Sequence, residues 1–235
     1  MTTLNQKTAI ISGASGGLGQ TVSRMFHQAG AGLVLLGSRP ASVQPLADEL
    51  GGDVLPLGAN LTDPAEAERV VAAAIERFGR VDILLNLAGG FTGGDSVANS
   101  NPADLQKMLD MNLWTAYNLC RAAMPSMLEQ RWGRIVNVAA RDALAGRANF
   151  SAYGISKAGV LRLTESLAAE GKKRNVTVNA VLPGAIDTAA NRQAMPSADF
   201  SKWVRPETIG QTLLFLCRPG TAITGAAIPM FEQFD

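Results

Sequence analysis

The sequence predicts a doubly wound α/β fold: one parallel sheet of about seven strands with helices on both faces. Two observations carry this. Short β-rich apolar runs alternate with longer amphipathic stretches along the whole chain. Several of the short runs are apolar throughout rather than at every second residue, as strands buried on both faces must be. Alternation of this kind implies right-handed βαβ crossovers and a doubly wound sheet.

The strand candidates, in order, cover residues 8–12, 33–36, 54–57, 83–87, 135–138, 176–181 and 226–229. A helix over 20–29 follows the first strand. Another is predicted over 64–78, where Val70, Val71, Ala74, Ile75 and Phe78 recur at helical spacing. Asp63 and Pro64 open it as N-cap and first-position proline, and Gly79 closes it. Two long helices are expected over roughly 102–129 and 153–170. No internal repeat, low-complexity segment or linker interrupts the pattern, so residues 1–235 read as a single domain. The stretch 188–203 is polar and contains methionine. As a short lid around 188–205 it is long enough to cover a ligand, and a mere connecting loop would read the same way.

Composition excludes several function classes. The net charge is +1, with acids and bases mixed along the chain, so no face is expected to attract nucleic acid or an anionic membrane. No apolar run approaches a bilayer span, and the N-terminus lacks the apolar stretch of a signal peptide. Cys120 and Cys217 stand in apolar helical contexts without metal spacing, which suits buried thiols in a reducing compartment. The single His27 has no ligand-type partner nearby, so no metal site is expected. The expected setting is cytoplasmic.

The first strand runs into Ser12-Gly13-Ala14-Ser15-Gly16-Gly17-Leu18-Gly19, which leads into a helix. Glycines permit a tight turn and close approach of main-chain N–H groups to a pyrophosphate, and the helix N-terminus adds its positive end. In this strand–turn–helix context the segment points to dinucleotide binding. After the second strand come Ser38 and Arg39, where a site for NAD(H) normally carries a carboxylate for the ribose. Arginine here can hold a 2′-phosphate instead, which favours NADP(H) and leaves NAD(H) as the alternative. An ordinary solvated arginine would look alike.

The glycine spacing, Asn86-Leu87-Ala88-Gly89, Asn112, Tyr153-x-x-x-Lys157 and Pro183-Gly184 occur in one order over nearly the whole chain. As an ordered set they resemble the short-chain dehydrogenase/reductase family, which implies a Rossmann-like sheet, a nicotinamide cofactor and hydride transfer to or from a small molecule. Tyr153 and Lys157, four apart, share a helix face. An ammonium beside a phenol favours its ionised form, making Tyr153 a usable general acid. The resemblance further implies that Lys157 binds the nicotinamide ribose and that Asn112 organises a proton-relay water. It assigns Thr188 to the carboxamide and Pro183, Gly184 and Ile186 to the same wall. Asn86, Ala88 and Gly89, with Asn60 and Leu61, fall on the adenosine side. It also implies a homodimer or homotetramer through the helices 102–129 and 153–170.

One departure matters more than the matches. Ala140 stands where the family carries its catalytic serine, and alanine cannot stabilise a developing alkoxide. Two smaller departures are Leu87, where the family's motif often repeats asparagine, and Asn60, where an aspartate usually faces the adenine. A serine helps most when the hydride acceptor is a carbonyl; a conjugated C=N ring spreads its charge. The dihydropteridine-reductase branch fits that thought, and this chain is similar to it in 88–94, at Asp187-Thr188 and in Met195-Pro196-Ser197-Ala198-Asp199-Phe200-Ser201-x-Trp203. Phe91, Met195, Phe200 and Trp203 are candidates to line a pocket with Ala140, or to close the core beneath a loop. The leading expectation is an NADPH-dependent reductase of a small cyclic C=N (pterin-like) or carbonyl substrate. The alternatives are ordinary carbonyl/alcohol redox, or a cofactor-binding sensor without turnover, against which Tyr153, Lys157 and Asn112 argue.

Overall fold

Seven parallel strands build one sheet in the order β3-β2-β1-β4-β5-β6-β7. In the computed structural model, which describes residues 4–233, they are β1 Thr8–Ser12, β2 Gly32–Gly37, β3 Val54–Gly58, β4 Ile83–Asn86, β5 Gly133–Val138, β6 Val176–Pro183 and β7 Ala227–Met230. The helices are α1 Gly17–Gln28, α2 Gln44–Leu50, α3 Pro64–Phe78, α4 Pro102–Met108, α5 Thr115–Glu129, α6 Ser151–Gly171, α7 Ala189–Ala194 and α8 Pro206–Cys217.

Strand alternation sorts the apolar residues into two layers. Ile11, Leu33, Leu35, Ile83 and Leu85 pack with Val22 and Phe26 of α1 and Ile209 and Leu213 of α8. Ile10, Val34, Leu36 and Leu84 turn the other way, onto Val70 and Ala74 of α3 and Leu119 and Met124 of α5. Both faces of the central strands are therefore covered, which is why runs such as residues 33–36 lack polar positions.

The strand order reverses between β1 and β4, which pair with Ile10 opposite Leu84 and Ser12 opposite Asn86. Chain segments leaving the ends of these two strands diverge there and open a crevice, the usual ligand position in such sheets.

One helix expectation needs correcting. The first helix begins at Gly17 rather than residue 20, because Gly16 is an extended N-cap that carries no side-chain mark. The expected helix 102–129 runs unbroken between those bounds as α4 and α5, joined by a π-helical turn Leu109–Trp114. A π turn inserts a residue without any compositional signature. Among the described residues no helix is long and apolar enough to cross a membrane. No group of three or more His, Cys, Asp or Glu among them could hold a metal ion.

Candidate active site

The crevice holds a cavity of about 870 Å³. Its wall takes Gly13, Ser15 and Gly16 from the turn after β1, Gly37 and Ser38 after β2, Asn60 and Leu61 after β3, and Ala88 and Gly89 after β4. Gln106, Lys107, Asp110 and Met111 close it from the α4 side. Gly13 has φ +69° and its Cα hydrogen faces β4: a Cβ there would lie 2.8 Å from Ala88 N. A Cβ on Gly19 would strike Gly13 O. Leu18 is buried in the core, so only its main chain is near the turn. The N-cap of α1 is Gly16, without a side-chain acceptor, and its first turn holds no acid. Its leading amides are thus left for an anion from outside. Arg39 is exposed beside Ser38, and its guanidinium has no ion-pair partner among the described residues. These residues fit the pyrophosphate and 2′-phosphate of a dinucleotide.

Gly89 joins this cavity to the catalytic end. A Cβ built on it would stand 2.7 Å from Asn112 Oδ1 and 3.2 Å from Lys157 Nζ. Asn112 projects from the π turn and is 2 % exposed. Its Oδ1 accepts from Gly90 N–H at 2.9 Å, and its Nδ2 donates to Gly90 O at 3.1 Å and Ser156 Oγ at 3.0 Å. Ser156 Oγ donates to Tyr153 O at 2.8 Å. Asn112 therefore commits its side chain to the loop after β4 and to α6. Lys157 Nζ donates to Val138 O at 2.8 Å, at the end of β5, and stands 5.9 Å from the Tyr153 ring centre.

Burial sets the ionisation of this pair. It lowers Lys157 from 10.5 to about 8. Burial also pushes Tyr153 up to about 12, assisted by the negative charge of Asp142 and opposed by Arg147. This corrects the expectation of a lowered phenol pKa: loss of water around the phenol sets the direction, although the Lys157 ammonium lies over its ring. Asp142 and Arg147 form their own ion pair at 2.8 Å.

The remaining candidates sort unevenly. Thr188 abuts the start of α1, 2.9 Å from a Cβ built on Gly17, and caps α7 by accepting from Asn191 N–H. Pro183 pairs with Met230 at the sheet's end, and Gly184 N–H donates to Met230 O. Asn86 does not line the cavity; it is buried and donates to Asn137 Oδ1 at 2.8 Å, tying β4 to β5. Ala140 is buried at the end of β5. The four aromatic and methionine candidates do not form one pocket. Phe91 meets Tyr153 edge-on at 5.2 Å and Phe150 at 5.1 Å. Phe200 and Trp203 instead meet edge-on at 4.8 Å within the 188–205 segment, where Trp203 is 7 % exposed and Arg192 covers the Phe200 ring. Met195 is exposed. That segment's ends meet at a bridge between Ile186 and Val204, and Arg192 grips Asp187 through two bonds of 2.6 and 2.8 Å. Sequence reasoning missed Ser156, the Val138 carbonyl, the Asp142–Arg147 pair and the α4 wall. Ser156 was within reach, since it lies one turn after Tyr153; a carbonyl leaves no mark in a sequence.

Residues 7–199 match the short chain dehydrogenase family. The chain is 31 % identical over 237 residues to the 3-oxoacyl-(acyl-carrier-protein) reductase FabG of Thermotoga maritima, covering 96 % of both. It is 30 % identical over 218 residues to the D-beta-hydroxybutyrate dehydrogenase of Rhizobium meliloti, covering 91 % of this chain and 84 % of that one. The crystal structure of gox2181 superposes with a TM-score of 0.91 at 26 % identity, covering 97 % and 95 %.

Proposed function

This chain belongs to the short-chain dehydrogenase family, and from that premise we propose that it is an NADP(H)-dependent reductase with Tyr153 as proton donor. The observation that carries the reading is Gly89, whose Cα hydrogen faces Asn112 and Lys157 from the wall of the dinucleotide cavity. When bound, the reduced nicotinamide supplies the hydride. Tyr153, kept neutral by burial, gives its hydroxyl proton to the atom that gains charge. Lys157 is charged below about pH 8 and steadies the phenolate left behind. Asn112 holds the loop bearing Gly89 and Gly90 against α6. Ser38 and Arg39 hold the 2′-phosphate, the arginine having no carboxylate to satisfy it otherwise.

The acceptor we infer is a small ring with a conjugated C=N, pterin-like, because Ala140 provides no hydroxyl for a carbonyl oxygen. Phe91, 54 % exposed and edge-on to Tyr153, offers a face for a flat ring. A second reading, redox of an ordinary carbonyl or alcohol, is favoured by the names of the matched relatives, which act on 3-oxoacyl and hydroxybutyrate groups. A sensor without turnover needs neither Tyr153 nor Lys157. Stopped-flow oxidation of NADPH by quinonoid dihydropterin, set against a panel of 3-oxo esters and ketones, separates the three. Turnover with ketones alone would sink the C=N reading, and tight NADPH binding without any turnover would leave the sensor.

Association into a homodimer or homotetramer belongs to the same proposal. Trp114 and Tyr117 on one helix and Ile155 on the other are exposed large hydrophobics. Between α5 and α6 runs a groove of about 590 Å³, a form suited to an isologous helical interface. Sedimentation of the protein as a monomer at micromolar concentration would remove this element.

A further inference from the structure

Asn60 lines the cavity between β3 and α3, with Leu36, Ser38, Leu61 and Thr62 on the same wall, which the cofactor reading above makes the adenosine side. Its Oδ1 accepts twice from one residue: from Thr62 N–H at 3.3 Å and from Thr62 Oγ1 at 2.8 Å. A main-chain N–H can only donate, so the amide oxygen is pinned toward Thr62 and the alternative flip of the side chain is excluded. What Asn60 has left for the cavity is its NH2 group. That NH2 has no hydrogen-bond partner among the described residues, and the side chain is exposed. A carboxylate in the same turn would behave differently: one oxygen would serve Thr62 and the second would still accept.

Resting on the cofactor reading above, we propose that Asn60 makes this site indifferent to the 6-substituent of the cofactor's purine, so that 6-oxopurine dinucleotides are accepted alongside adenine ones. The 6-amino group of adenine is a donor and finds no acceptor in the Asn60 NH2. A 6-oxo group is an acceptor and can take a hydrogen bond from it. The acceptor at C6 that would reject the oxo base is therefore absent here; the bases otherwise differ by the proton on N1, and the phosphate and ribose contacts are common to both ligands.

The test is a binding titration, read from nicotinamide emission and tryptophan quenching, of NADPH against reduced nicotinamide hypoxanthine dinucleotide phosphate. Both carry the same phosphates and nicotinamide, so the ratio of dissociation constants isolates the base. The wild-type protein is expected to bind the hypoxanthine form within about threefold of NADPH, or more tightly. Asn60→Asp keeps the bond to Thr62 N–H and is expected to shift the ratio by about tenfold or more toward NADPH. A hypoxanthine form bound more than about threefold more weakly by wild type, or a ratio unmoved by Asn60→Asp, overturns the inference and leaves the cofactor reading standing. Failure of both ligands to bind overturns both together.

Discussion

The two ends of the crevice are built from different materials. At the dinucleotide end the work falls to backbone: Gly13 at positive φ against Ala88, Gly19 against Gly13 O, and the bare amides at the start of α1. At the catalytic end it falls to side chains: Tyr153 and Lys157 on α6 and Asn112 on a π turn, oriented by Val138 O, Gly90 and Ser156. A backbone-built site tolerates almost no added atom, but it is indifferent to which side chains surround it. A side-chain-built site can lose a group, as at Ala140, and keep its fold. This difference accounts for a chain that keeps its family's nucleotide turn while carrying alanine at position 140.

The comparison breaks most visibly at Gly13. Gly13→Ala puts a Cβ at φ +69°, 2.8 Å from Ala88 N. Left-handed strain of ~1–2 kcal/mol and overpacking of ~1–3 kcal/mol should reduce stability together. NADPH affinity should fall below detection, since the turn and the loop after β4 must move apart. Denaturant melts and a cofactor titration measure the two losses. A variant that binds NADPH normally would show that the turn is not backbone-limited.

At the other end, Lys157→Met should separate activity from stability. Activity should fall by ~10²–10⁴. Stability should move the other way. The folded pKa of Lys157, about 8, lies below its ordinary 10.5, so the charged form is disfavoured by the fold. That cost is fully present below pH 8 and disappears as pH rises toward 10.5. At ~1.4 kcal/mol per pH unit it amounts to ~3 kcal/mol, offset in the variant by a Val138 carbonyl left without its donor, at ~1–3 kcal/mol. A net gain of ~1 kcal/mol at pH 7, turning into a net loss of ~1 kcal/mol by pH 10, is expected in urea melts. A variant less stable at pH 7 than at pH 10 relative to wild type would contradict the assignment.

Ala140→Ser tests whether the missing hydroxyl steers substrate choice. Turnover of ketones should rise by ~10-fold or more, since one donor of this kind is commonly worth ~10²-fold. Turnover of quinonoid dihydropterin should change little. Equal gains for both, or none for ketones, would remove Ala140 from the account of specificity.

How much of this was legible before the structure follows the same division. The strands were readable because burial on both faces forces apolar residues at every position, as in Leu33 to Leu36. The glycine turn was readable because a positive φ and a close approach demand glycine itself. Tyr153 and Lys157 were readable from their spacing on one helix face. The π turn was not, because an extra residue in a helix leaves the apolar period nearly intact. Neither was the sorting of Phe91 from Phe200 and Trp203, which depends on where a loop returns to Ile186. The direction of the Tyr153 shift was misread for a related reason: spacing gives the neighbour, and only packing gives the loss of water.

The smallest effect concerns Asp142, and it decides which group sets the alkaline limit of activity. Asp142 raises Tyr153, and Arg147, its ion-pair partner at 2.8 Å, opposes it. Asp142→Asn removes the negative charge and releases Arg147, so both changes lower the phenol's pKa from about 12. At pH 7 the phenol remains protonated, and kcat/KM for reduction should change by less than ~3-fold, since Arg147 is largely exposed and screened. The wild-type profile of kcat/KM should fall above about pH 8, where Lys157 loses its proton. Because that limb belongs to Lys157, Asp142→Asn should leave it in place, whereas Lys157→Arg should carry it upward with whatever activity remains. A limb that moves down in Asp142→Asn would instead assign it to Tyr153, and the ammonium would then be a structural partner of Val138 rather than the charge that supports proton release.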